Sequence, residues 1–436
     1  MRAFLKQNIQ FLLLVLSWVV ADLIATELAD VLVIITFILL KSKNRYLELI
    51  LAFCVLLFLA DNRHHHFDFA THTKDIILIL ISMFVLFDKK QFPVKSELFF
   101  PFAGFLVLSL VMVYRHPTPF VSFQKTISYI LLFTIVPNYF VKLLNEDPKL
   151  FFRNFFFFFS FLLFIGLTMI FWKYKDVYYM GRFSGLLGNP NGAGSYCTVF
   201  SILLAVVLFH YPKLFSKSEL WFIIIVIGLT VILSGSRNTI FSILIFLFFK
   251  RFYKISSFAG FFIVIVSALL FQIASQNLPD IISTFGLGKY FRVQHLNDGS
   301  GRLIAWKFGL AEIQKNFLLG RGFAYEEYYF FLNKEELSLE GHQGGIHNTY
   351  LATWMNTGLL GLILFLYGLF RTFFKAASNS YLAIPALFAI LFSITFESWF
   401  VGSLNPFTII ALLIITTLLY KRPDGAEEEK NIVPLL

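Results

Sequence analysis

Charge is what this sequence has least of. Only 14% of its 436 residues are Asp, Glu, Lys or Arg, about half the share of a soluble domain. Cysteine is scarcer still. Cys54 and Cys197 both lie in apolar stretches, which excludes a disulfide framework and any cysteine-based metal spacing. No repeat of fixed period is visible, and no segment is polar enough to stand alone as a soluble domain. What is present is apolar: 58% of the residues are hydrophobic, and the 25 glycines bring the share to about 64%, against about 45–50% in a soluble domain. A water-soluble core of this size cannot absorb that much apolar surface. The chain reads as an all-α, polytopic helical membrane protein. Phenylalanine supplies 58 residues, Phe155 to Phe159 in a row, read as lipid-facing bulk and helix packing. The net charge of +10 does not point to nucleic acid, because Lys and Arg lie in short clusters between apolar runs, as in loops facing anionic headgroups.

A membrane helix needs about 20 residues, with a range of about 17–25. Apolar runs between breakers give candidate spans near 8–26, 27–41, 46–60, 73–88, 98–114, 121–144 and 151–173. The second half gives 191–210, 219–234, 236–252, 255–275, 348–374, 381–401 and 405–421. Several are short, so the expectation is about 12–14 transmembrane helices. The first run lacks a small-residue cleavage site and reads as an uncleaved helix rather than a signal peptide. With the N-terminus in the cytoplasm, 21 of the 36 Lys and Arg residues fall in cytoplasmic segments and 8 in or near short outer ones. The other seven lie in one long segment, 276–347, which the positive-inside rule places in the periplasm. The expected organisation is N-terminal transmembrane helices over 1–175, a second membrane region over 176–421 with that loop, and a cytoplasmic tail over 422–436.

Function in a membrane protein shows in polar groups that folding does not need. Four segments carry them, all on the outer side by this topology. The first runs from Gly181-Arg182-Phe183-Ser184-Gly185 to Gly188-Asn189-Pro190-Asn191-Gly192-Ala193-Gly194. Asn189 can cap a helix whose first residue is Pro190, and the glycines let a neighbouring helix or a lipid approach. The segment is either an ordinary turn into a helix or a seat for phosphate at a helix N-terminus. The second, Ser234-Gly235-Ser236-Arg237-Asn238-Thr239, puts an arginine at the headgroup boundary, where it snorkels or binds an anion. The third is Ser300-Gly301-Arg302 and the helix after it. Leu303, Trp306, Leu310 and Ile313 recur at steps of three and four, which predicts an amphipathic helix on the membrane surface ended by the Gly320-Arg321-Gly322 turn. The fourth is Gly344-Gly345-Ile346-His347-Asn348-Thr349-Tyr350. There a histidine opens a long apolar helix, as a cap or as a general base. His342 is its nearest competitor but lacks the helix-opening position.

Other polar residues carry less. His64, His65 and His66 with Asp68 and His72 give no tetrahedral framework, so no metal site is expected. Glu397 and Asp22 fall within apparent spans and read as buried, hydrogen-bonded carboxylates rather than an ion path.

Taken in order, the R-x-S-G…G-N-P-N turn, the S-G-S-R turn, the S-G-R-L…W…L-L-G-R-G-F segment and H-N-T-Y-L…G-L-L-G-L resemble the O-antigen ligase and O-antigen polymerase superfamily. The resemblance covers residues 180–370. It implies an inner-membrane glycosyltransferase working at the periplasmic face, with a glycan on undecaprenyl diphosphate as donor. The acceptor it implies is the lipid A core for a ligase or another lipid-linked glycan for a polymerase; the ligase is the first expectation. It also implies roles: Arg237 and Arg302 on the donor diphosphate with Arg182 beside them, His347 as catalytic histidine, and Asn189, Asn191, Asn348 and Arg321 in support. No cofactor is implied, and membrane lipids are the remaining partners. The chemistry fits. A diphosphate leaves without protonation, the acceptor hydroxyl needs one base, and guanidinium forks suit the growing charge. No D-x-D-like site is evident in the outer loop, so a metal-independent, inverting transfer is expected. A lipid-linked glycan transporter, the rival, predicts paired charges deep within spans and inverted repeats; here the polar residues cluster at one membrane edge.

Overall fold

The computed structural model describes residues 2–62, 67–88, 92, 100–254, 256, 302–342, 344–402 and 404–420, the side chains of 2–7 excepted. The expected span 255–275 apart from residue 256, residues 276–301 of the outer loop, His64–His66 and the tail from 421 lie outside them. The N-terminal helices are α1 (Arg2–Asp22), α2 (Thr26–Ser42), α3 (Tyr46–Ala60), α4 (Asp68–Phe87), α5 (Ala103–Val111), α6 (Pro119–Thr134), α7 (Val136–Glu146) and α8 (Pro148–Thr168). After the short α9 (Tyr174–Val177) come α10 (Pro190–His210), α11 (Lys217–Ser234) and α12 (Arg237–Tyr253). The outer segment contributes α13 (Arg302–Lys315), α14 (Tyr325–Leu332) and α15 (Lys334–Leu339), and α16 (Thr349–Ala377), α17 (Ala383–Thr395) and α18 (Pro406–Leu419) follow.

The protein is a polytopic helical membrane protein. Among the described residues, six helical stretches are long and apolar enough to cross a bilayer: 68–87, 119–146, 148–171, 190–210, 217–234 and 349–377. Shorter apolar helices of 10–17 residues, including Tyr46–Ala60, Ala383–Thr395 and Pro406–Leu419, fill out the bundle. Local chemistry sets several helix starts. Asp147, Asn189 and Asn405 each cap a helix whose first residue is proline, and Ser216 and Glu219 form a reciprocal capping box.

Of the two readings of the phenylalanine run, lipid-facing bulk and helix packing, the structure shows the packing. Phe155 to Phe159 are all buried, so this run packs rather than faces lipid. Five consecutive residues circle the helix, and their rings meet Phe58, Tyr196, Phe200 and Phe215 on neighbouring elements. In α13, Leu303 and Leu310 are exposed, whereas Ala305, Gly309, Glu312 and Ile313 are buried against α16. The helix is where periodicity put it, but it packs through its small residues, as helices in membranes do.

One long helix is broken. Within α16, Gly358 has φ 74° and ψ −179°, which frees backbone groups on both sides. The irregular segment 317–322 takes them up. The N–H groups of Arg321 and Gly322 donate to the Met355 and Asn356 carbonyls at 3.1 and 2.8 Å, and the Leu359 N–H donates to Phe317 O at 2.9 Å. This explains the Leu-Leu-Gly-Arg-Gly sequence: a Cβ on Gly320 would lie 2.4 Å from the Asn356 backbone. Arg321 is therefore placed at the helix break, with its guanidinium over the Tyr325 ring at 5.9 Å.

Candidate active site at one end of the bundle

The N-termini of α10, α12 and α16 and the C-termini of α11 and α17 meet at one end, joined by side-chain contacts. Lys250, Arg251 and Lys375 lie in the last turns of α12 and α16, at the far end of helices that begin at the site.

Tyr178–Tyr179 and Arg182–Phe183 pair as a two-stranded antiparallel hairpin. Its turn residues, Met180 and Gly181, both have positive φ, the requirement of a tight type I′ turn. The hairpin carries Arg182 to the end of α11, where its Nε donates to Ser234 O at 2.8 Å. A terminal nitrogen of the same guanidinium donates to Asn191 Oδ1 at 3.0 Å. Asn189 caps α10 as expected, its Oδ1 accepting from the Gly192 N–H at 2.7 Å. Gly194 is where α10 crosses α12, and a Cβ there would lie 2.2 Å from Thr239 Oγ1. The first two motifs thus form one unit, with Arg237 opening α12 beside them. The next residue ties this unit to α17, because Asn238 Nδ2 donates to Ser393 O at 3.1 Å.

Four residues after Ser393 stands Glu397, and on it the third and fourth motifs converge. An Arg302 terminal nitrogen lies 2.8 Å from Glu397 Oε1, and His347 Nδ1 lies 3.4 Å from Glu397 Oε2. Thr349 Oγ1 donates to the Glu397 carbonyl at 2.9 Å, and the Arg302 guanidinium lies 5.8 Å from the Phe396 ring. Burial alone would raise the Glu397 carboxyl, but the bonds from His347 and Arg302 hold it below its ordinary value. An ionised carboxylate at Nδ1 requires the proton there, which leaves Nε2 as the basic nitrogen. The His347 side chain remains 34% exposed, enough for a substrate to reach it.

Glu397 is the residue that sequence reasoning set aside. It is mostly buried, 13% exposed, and hydrogen-bonded, and it joins two site residues. Asp22, read the same way, is buried but, contrary to that expectation, not hydrogen-bonded: neither carboxylate oxygen has a partner among the described residues. The helix cap at the fourth motif is Asn348, whose Oδ1 accepts from the Leu351 N–H at 3.0 Å, so His347 is released from capping. It adopts a left-handed backbone with φ 47°, uncommon for a non-glycine residue. Gly344 makes room for it, since a Cβ there would lie 2.9 Å from His347 Nε2. His342 is buried, with Nε2 3.1 Å from the Gly345 carbonyl. It supports the loop from beneath.

No curated protein matches the chain. The family model described as O-antigen ligase matches residues 221–366, a stretch that includes Arg237, Arg302, Arg321, His347 and Asn348, while Arg182, Asn189, Asn191 and Glu397 lie beyond its ends. Residues 221–366, which carry three of the four motifs, are similar to the O-antigen ligase family.

Proposed function

We propose that the protein is a glycosyltransferase of the bacterial inner membrane. It moves a glycan from an undecaprenyl-diphosphate carrier to an acceptor hydroxyl at the periplasmic face, with the lipid A core as acceptor. The observation that carries this reading is the convergence of Arg302 and His347 on one mostly buried carboxylate, Glu397. A cation for the leaving group and a base for the nucleophile are thereby set side by side.

In the proposed step the acceptor hydroxyl attacks the anomeric carbon and gives its proton to His347 Nε2. The bond from that carbon to the diphosphate oxygen breaks, and its electron pair leaves with the diphosphate. Arg302 uses one terminal nitrogen on Glu397 and keeps further N–H groups for phosphate oxygens. Arg237 and Arg182 complete the cationic rim, with Asn189, Asn191 and Asn348 holding the helix ends that present it. Guanidinium groups take the growing charge, so the transfer proceeds without a metal ion and, as a single displacement, with inversion.

The test is donor binding and single-turnover transfer by purified protein with a polyprenyl-diphosphate-linked oligosaccharide. His347→Ala should bind donor and fail to transfer, a loss of about 10²–10⁴-fold for a general base. An active His347→Ala protein overturns the assignment. Deletion followed by glycan analysis separates ligase from polymerase. Polymer stranded on the carrier marks the ligase, and single repeats attached to the core mark the polymerase.

A further inference from the structure

Two consecutive peptide groups lead into His347, and both are pinned. The Gly345 carbonyl lies 3.1 Å from His342 Nε2, and the Glu326 carboxylate packs against the same residue, so that a Cβ on Gly345 would lie 3.3 Å from its Oε1. The next carbonyl, Ile346 O, accepts from Trp306 Nε1 at 3.1 Å. The Ile346 side chain is fully buried, in a space that exists because residue 309 is glycine; a Cβ there would lie 2.5 Å from its Cδ1.

Glu326 is buried at the start of α14. Its own N–H donates to Asn356 Oδ1 at 2.9 Å, next to the break in α16. The charged groups around it are Glu327, on the same turn, and Lys125 on α6, which bridges to Glu327. A carboxyl group in such a place costs free energy unless it holds something, and no ion pair of its own accounts for it among the described residues. What it holds is the loop that carries the histidine.

We propose that Glu326 is a positioning residue: with Trp306 it clamps Gly345 and Ile346 and so keeps His347 in the left-handed backbone conformation that aims its ring at Glu397. The proposal rests on the reading of His347 as the base. The clamp acts through the carboxylate oxygen against Gly345 and the indole donor at 306, and it shapes the step in which the proton moves rather than the site that holds the diphosphate.

The experiment compares Glu326→Gln, Glu326→Leu, Trp306→Phe and His347→Ala in steady-state transfer with a polyprenyl-diphosphate-linked oligosaccharide, each checked for monodispersity in detergent. Glutamine keeps an acceptor oxygen and should retain at least half of the wild-type kcat. Leucine at 326 and phenylalanine at 306 should each lower kcat about 10- to 100-fold, the scale of a 1 Å misplacement, with the donor KM little changed. Should Glu326→Leu fail to fold, Trp306→Phe carries the test, because it keeps an aromatic ring near Phe396 and removes the indole N–H donor. Wild-type kcat in Trp306→Phe, or equal damage from Gln and Leu at 326, overturns the clamp. An active His347→Ala protein overturns the underlying reading instead, while an inactive one beside unaffected clamp variants removes the clamp alone.

Discussion

Replacing Glu397 by glutamine tests the site at its centre. The side chain keeps its shape and loses its charge. As His347 takes a proton, an imidazolium forms 3.4 Å from the carboxylate. At an effective dielectric of about 20, two unit charges at that distance attract by about 5 kcal/mol. The histidine is a third exposed, so solvent screens part of this, and about half is a fair share. The remaining ~2.5 kcal/mol corresponds to nearly 10²-fold in rate. Glutamine can also present its amide N–H to Nδ1, which favours the wrong tautomer. Glu397→Gln should therefore lower single-turnover transfer about 10²-fold or more while donor still binds. Glu397→Ala should do worse, because it leaves the half-buried Arg302 guanidinium without its counter-charge, at a cost of about 3–5 kcal/mol in stability. The assay is transfer to acceptor after pre-binding of a lipid-diphosphate oligosaccharide, beside a thermal melt in detergent. Unchanged transfer in Glu397→Gln would refute the argument that this carboxylate orients and stabilises the base.

Other consequences follow from the same geometry. Lysine at Arg237 or Arg302 keeps the charge and loses the fork, so donor affinity and transfer should both fall in a folded protein; wild-type turnover in both would return these arginines to snorkelling. Because the Glu397 carboxyl is held below its ordinary value of 4.5, the stability it contributes is present above that value and lost as pH falls through the lower, folded one. Melts across that acidic range should show the loss in wild type and a flatter curve in Glu397→Gln. Gly358→Ala should abolish folding or lower the melting temperature sharply, since φ is +74° and the new Cβ would lie 2.2 Å from Leu318 O. Finally, a cysteine at Ser338, which is exposed, should react with a membrane-impermeant thiol reagent in intact spheroplasts, against a background of two buried native cysteines; protection there with labelling at Lys254→Cys would invert the topology.

What could be read in the sequence was local. Asn189 before Pro190 announces a cap because the bond it makes spans three residues. The glycine at 194 announces a close crossing because nothing else fits there. Tertiary partners were not legible. Arg182 meets Ser234 across 52 positions and Arg302 meets Glu397 across 95, and no periodicity encodes either pair. Glu397 shows the limit most clearly: a lone carboxylate in an apolar run has the same sequence signature whether it is merely buried or ties a histidine to an arginine.

What these helices bury has one physical cause. In water, burying large apolar side chains drives folding and sends them to the interior. In a bilayer the lipid is as apolar as leucine, so the interior goes to whatever packs best. In α13 that is Ala305 and Gly309, which let the helix seat against α16 and accept Ile346, while Leu303 and Leu310 remain outside. In α8 it is five phenylalanines, whose rings fill the gaps between several neighbouring helices. Gly358 belongs with these. A glycine inside an apolar helix is common and predicts no break; the break is affordable only because residues 317–322 supply the donors and acceptors that the helix gives up. The segment that repairs the helix also leads into α14, and so places Glu326 under the loop that carries His347.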